Sequence, residues 1–118
     1  MRVNVLGTDY GITRLNYSED KSFEKQGICG YCDWVAKKIV FCNIATYPGY
    51  EEETKEHCIE VEKQTLRHEI THAFLAESGM RNNSHVPDSG WATNEEMVDW
   101  IALQFPKMLK AFQETNCL

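Results

Sequence analysis

Two histidines four residues apart frame a glutamate in the segment His68-Glu69-Ile70-Thr71-His72. On an α-helix, residues i and i+4 project from one face about one turn apart, so both imidazoles can reach a single ion. Zinc takes imidazole nitrogens at about 2.0–2.1 Å and prefers four ligands. A third protein ligand plus a water would make an open, catalytic site, whereas two more protein ligands would close it. Glu69 is offset from His68 by about 100° around the helix, away from the pair's coordination direction. A carboxylate there can take the proton of a water attacking a carbonyl and pass it to the leaving group, and a metal lowers the pKa of bound water toward about 7. The chemistry implied is metal-assisted hydrolysis.

That chemistry requires a helix, and the flanking sequence predicts one from Glu51 to Ser78. Ile59, Leu66, Ile70 and Ala73 recur with the spacing of one helix face. Val61, Thr65, His68, His72 and Leu75 form a second stripe on roughly the opposite side, so one face should meet the core and the other lie under a site. Glu51, Glu52 and Glu53 suit the positive end of the helix dipole, and Gly79 suits a stop. Met80 to Ala92 reads as a long and therefore functional loop. A second helix is expected from Thr93 or Asn94, with Val98, Ile101, Phe105, Leu109 and Phe112 as apolar positions. Pro106 should kink it, lacking an N–H and crowding the Ala102 carbonyl.

Before Tyr47-Pro48-Gly49 the texture is strand-like. Candidate strands are Arg2 to Leu6, Tyr10 to Tyr17, Gly27 to Cys32 and Lys37 to Asn43, the last two joined by a turn at Asp33-Trp34-Val35-Ala36. The fold class that follows is α+β. A few-stranded N-terminal sheet precedes the long motif helix and a C-terminal glutamate helix, in a single domain over residues 1–118.

The motif together with Asn94-Glu95-Glu96-Met97-Val98-Asp99 resembles the gluzincin class of zinc metallopeptidases. The stretch from Glu95 to Ala102 is also similar to the ligand helix of the ImmA/IrrE-like peptidases. The resemblance covers Leu66 to about Phe105, and the strands before it add a general similarity to very small zincin domains encoded by Gram-positive bacteria and their phages or mobile elements. It implies a zincin-like fold, Zn2+ as cofactor, a peptide or protein substrate, and His68, His72 and Glu95 as ligands. It further implies Glu69 as catalytic base and Asp99 as hydrogen-bond partner of the first histidine. By the same resemblance an edge strand binds an extended peptide, with Lys37 to Asn43 as the candidate platform.

The residues themselves favour Glu95 over its rival Glu96. Thr93 as N-cap with Glu96 three residues on would form a capping box and occupy Glu96 locally. Glu95, Asp99 and Ala102 share a face by i, i+4, i+7 spacing. His85 and Asp88 are the rival ligands in the loop. His85 could instead stabilise an oxyanion from the substrate side, or be a solvated loop histidine. Cys29-Gly30-Tyr31-Cys32 has redox spacing but strand-like surroundings and no second pair, which favours structural thiols.

The 18 acidic and 12 basic residues leave a net charge of −6, without a basic patch to neutralise phosphates, so nucleic acid is not an expected partner. No apolar stretch approaches the roughly 20 residues of a membrane span, and the first residues are too short and polar for a secretory core, giving a cytoplasmic expectation. Five cysteines without such a leader argue for reduced thiols. The expectation is a zinc-dependent metallohydrolase, with peptide bonds as its target. The alternatives are a zinc-binding regulatory or interaction domain that cuts nothing, and a metal-free domain carrying the motif by chance.

Overall fold

The computed structural model describes residues 1–81 and 90–118. Alternation builds the first hairpin. Strand β1 (Arg2–Val5) pairs antiparallel with β2 (Thr8–Leu15) through a two-residue turn at Leu6-Gly7, both in the left-handed region at φ 50° and 91°. Two consecutive positive φ values match the right-handed twist of paired strands. The Asn4 side chain accepts from the Gly7 N–H and holds the turn closed. A helix α1 (Lys21–Gln26) follows, which the strand-like texture had concealed. Its signals are local: Asp20 caps it by accepting from the Ser22 N–H, Phe23 is fully buried, and Gly27 ends it at φ 62°.

Strands β3 (Gly30–Asp33) and β4 (Lys38–Cys42) form the second antiparallel pair. Asp33 shapes the turn between them by accepting from the N–H groups of Val35 and Ala36. Strand β4 also pairs in parallel with β2, giving a mixed sheet of order β1-β2-β4-β3. The expected platform at Lys37 to Asn43 is therefore corrected. It is an interior strand with both edges paired, in keeping with its run of buried Ile39, Val40, Phe41 and Cys42, and the edge strands are β1 and β3.

The long helix α2 (Lys55–Glu77) starts later than the acidic run suggested. Thr54 is its N-cap, accepting from the His57 N–H, and Glu51 folds back to accept from the Gly49 N–H before the helix begins. Its end follows the glycine signal. Gly79, at φ 89°, donates to the Ala76 carbonyl and Met80 to that of Leu75, the paired bonds of a Schellman stop. Leu66, Ile70 and Ala73 face the core as expected, but Ile59 is 37 % exposed and its neighbour Cys58 takes the buried place.

Helix α3 (Glu95–Glu114) runs through Pro106 without ending. Its N-cap is Asn94, which accepts from the Met97 N–H at 2.9 Å. Thr93 lies in a preceding single turn and donates its hydroxyl to the Gly90 carbonyl, so the expected capping box of Thr93 and Glu96 does not form.

Strand alternation divides the core. Ile39 and Phe41 join Val5, Tyr10, Ile12 and Ala73, while Val40 and Cys42 join Phe23, Ile44 and Cys58. The result is an α+β fold, a four-stranded mixed sheet followed by two long helices. Among the described residues no helix is long and apolar enough to cross a membrane.

Candidate metal centre

The two histidines leave the same face of α2 one turn apart, with their Nε2 atoms 3.0 Å from each other. Helix α3 brings Glu95 to both: Oε2 lies 2.9 Å from His68 Nε2 and Oε1 lies 3.2 Å from His72 Nε2. Each ring is held from behind. His68 Nδ1 meets Asp99 Oδ1 at 2.7 Å, and His72 Nδ1 meets the Ala92 carbonyl at 2.6 Å. A carbonyl and a carboxylate only accept, so the neutral rings carry their hydrogens on Nδ1 and their lone pairs on Nε2.

Two lone pairs and a carboxylate thus converge with no donor among them, an arrangement that a cation satisfies. Nitrogens bound to zinc at about 2.05 Å with a tetrahedral angle lie about 3.3 Å apart. The three observed separations, 2.9, 3.0 and 3.2 Å, are close to that spacing. The donor set fits a metal ion on chemistry and on span.

Glu69 completes the group: donor atoms of His68, Glu69 and His72 all lie within 4.8 Å of one another. It is only 6 % exposed, the one buried charged residue among those described. Burial pushes its carboxyl up to about 7; the His68 ring opposes that rise, while the Glu95 and Asp99 carboxylates reinforce it. Glu95 and Asp99 keep 66 % and 64 % of their side chains exposed, so the centre opens to solvent on the α3 side.

The centre sits in a cleft of about 940 Å³ between α2, β3 and the start of α3. Val61 and Thr65 of the second helix stripe line it as expected, with Tyr31, Cys32 and Trp34 opposite. The Arg81 guanidinium lies 5.2 Å from the Trp34 ring, a cation–π contact at one end. The two thiols of the Cys29/Cys32 pair border the cleft as free cysteines, and burial raises both, Cys32 to about 12. Both shifts run away from the thiolate that redox exchange needs.

Of the residues singled out by sequence, His68, Glu69, His72, Glu95 and Asp99 come together here. Glu96 is exposed near the start of α3, and His85 and Asp88 lie outside the described residues. Three participants escaped notice. The Ala92 carbonyl is backbone, for which residue type gives no signal. Gly30 is the point where β3 meets α2: a Cβ there would lie 2.8 Å from Thr65 Cγ2, 3.0 Å from the Val40 carbonyl oxygen and 3.4 Å from Glu69 Cγ. A glycine inside a strand was the available sign of that close approach. Arg67, next to the first histidine, donates from Nε to the Ala102 carbonyl at 2.7 Å and so joins the two long helices. Compared with protein-family models, curated proteins and solved structures, the chain matches none.

Proposed function

We propose that this chain is a zinc-dependent hydrolase of gluzincin type that cleaves peptide bonds, with His68, His72 and Glu95 holding the ion. The observation that carries the reading is the convergence of two Nε2 lone pairs and the Glu95 carboxylate while the far nitrogen of each ring is already bonded. Zinc, when bound, supplies Lewis-acid polarisation of a carbonyl and a water acidic enough to attack near neutral pH. Asp99 and the Ala92 carbonyl keep both rings in the tautomer that presents Nε2. Glu69 takes the proton from the attacking water and returns it to the leaving amine.

The substrate side of the reading rests on β3. Among the described residues no strand pairs with its outer edge, and Gly30, Tyr31, Cys32 and Asp33 all border the cleft. An extended peptide adding to that edge would run past the centre, with backbone hydrogen bonds supplying affinity.

Elemental analysis of purified protein tests the metal; about one zinc per chain is expected, and a value far below that defeats the reading. Catalysis is tested with Glu69→Gln against a mixed pool of fluorogenic peptides. Zinc should be retained while hydrolysis falls by about 10²–10⁴-fold. A zinc-loaded native protein that cleaves no member of the pool, with Glu69→Gln indistinguishable from it, would favour a binding domain that cuts nothing.

A further inference from the structure

Helix α3 supplies Glu95 and Asp99 but shares little of the buried core, since only Val98 and Ala102 of its residues are buried. A directed polar contact between the two helices would fix its position along α2 more narrowly than such apolar contacts. Within the helix the Ala102 carbonyl would ordinarily accept from the N–H of residue 106. That residue is Pro106, which has no N–H, and the carbonyl is left without its helical partner. A buried carbonyl in that state costs on the order of 1–3 kcal/mol unless another donor reaches it. Arg67 Nε is that donor, at 2.7 Å. A charged donor makes a stronger bond than a neutral one. Arg67 immediately precedes His68, and Ala102 follows Asp99 by one helical turn and Glu95 by two.

We infer that Arg67 is a positioning residue for the metal centre, locking α3 in register against α2 through the carbonyl that Pro106 leaves free. The device rests on the metal-site reading above. The proline exposes an acceptor at one point on α3, and the arginine recognises it from one point on α2. A slide of α3 by one residue would move Glu95 off the two Nε2 atoms, and the same slide would break the Arg67 bond. The bond uses none of the ligand atoms, so it holds the carboxylates in place before an ion arrives. Preorganisation of this kind raises affinity by removing the ordering cost from the binding step.

The test uses the full chain and zinc affinity measured by competition with a chromogenic chelator, alongside thermal melting of the metal-free protein. Arg67→Met keeps the aliphatic stem and removes the donor; zinc affinity should fall about tenfold, within the range for groups that orient ligands. Pro106→Ala restores an N–H that competes for the Ala102 carbonyl. It should raise the melting temperature of the metal-free protein while lowering zinc affinity, a divergence that a merely structural role would not produce. In the double variant the effect of Arg67→Met should shrink, because the carbonyl then has its helical partner. If Arg67→Met does not fold, Pro106→Ala carries the test alone. Native-like zinc affinity in either folded variant, within about twofold, overturns the inference but leaves the metal site standing. A native chain that binds no zinc overturns both.

Discussion

Asp99 and the Ala92 carbonyl each bond the far nitrogen of one ring, at 2.7 and 2.6 Å, and so decide which nitrogen each histidine presents. Asp99→Ala removes the anion behind His68 and frees that ring to flip or change tautomer. Zinc affinity should fall about 10–100-fold, read by chelator competition, with little change in the far-UV spectrum. The equivalent partner of His72 is a backbone atom and cannot be deleted by substitution, so the two rings are unequally accessible to mutation. Glu69 shows what residue-level reading achieves. Its type and offset from His68 suggested its role, but burial and the raised carboxyl follow from β3 and the helices closing around it.

At the scale of elements, the approach of β3 to α2 is set by Gly30. Any side chain there meets Thr65 and the Val40 carbonyl below ordinary contact distance, with Glu69 next in line. Gly30→Ala should cost about 1–3 kcal/mol by overpacking, measured by urea denaturation, because Thr65 or the β4 backbone must give way. The start of α3 is a separate matter. Asn94 holds the Met97 N–H, so Asn94→Ala should destabilise by about 1 kcal/mol. Glu96→Ala should stay within about 0.5 kcal/mol of native, since Glu96 does not belong to a capping box. Comparison of the two by denaturation decides between the cap expected from sequence and the cap observed.

Across the whole molecule, Glu77 at the end of α2 ties the helix to the sheet. It accepts from Lys37, from the Tyr10 hydroxyl at 2.7 Å and from the Thr8 hydroxyl at 3.1 Å. The Lys37 bond first, then that of Tyr10, holds its carboxyl below the ordinary range. A carboxyl lowered on folding contributes stability that is fully present above its unfolded pKa, about 4.3, and lost as pH falls through the folded value. The melting temperature of the native chain should therefore drop on acidification below about pH 4.3 more steeply than that of Glu77→Gln. Equal slopes would remove Glu77 from the acid response. Metal removal acts on another part of the molecule. Neither core cluster includes a histidine or Glu95. Chelated protein should keep its fold by circular dichroism, while free zinc at 100 times its Kd should add about 2.7 kcal/mol of stability.

Periodicity and residue type alone determined the class of fold and the helix that carries His68, Glu69 and His72, while the resemblance to the gluzincin class brought in Glu95 and Asp99 as candidates. These are local properties: i, i+4 spacing is the same in any helix, and a stop at Gly79 needs only a left-handed residue. Tertiary structure decided which strands are the edges, because pairing partners come from distant segments. The apolar run in Lys38–Cys42 marks a strand buried on both faces but does not name the strands beside it. Tertiary structure also decided the N-cap of α3, where Thr93 and Asn94 are both suitable types and only the backbone path selects one. The contacts that assemble the centre belong to the same class. Gly30 against Thr65, Arg67 on the Ala102 carbonyl and Ala92 behind His72 each join residues 20 or more positions apart. The paired histidines that began as a five-residue pattern become a three-donor centre only when α3 lies along α2.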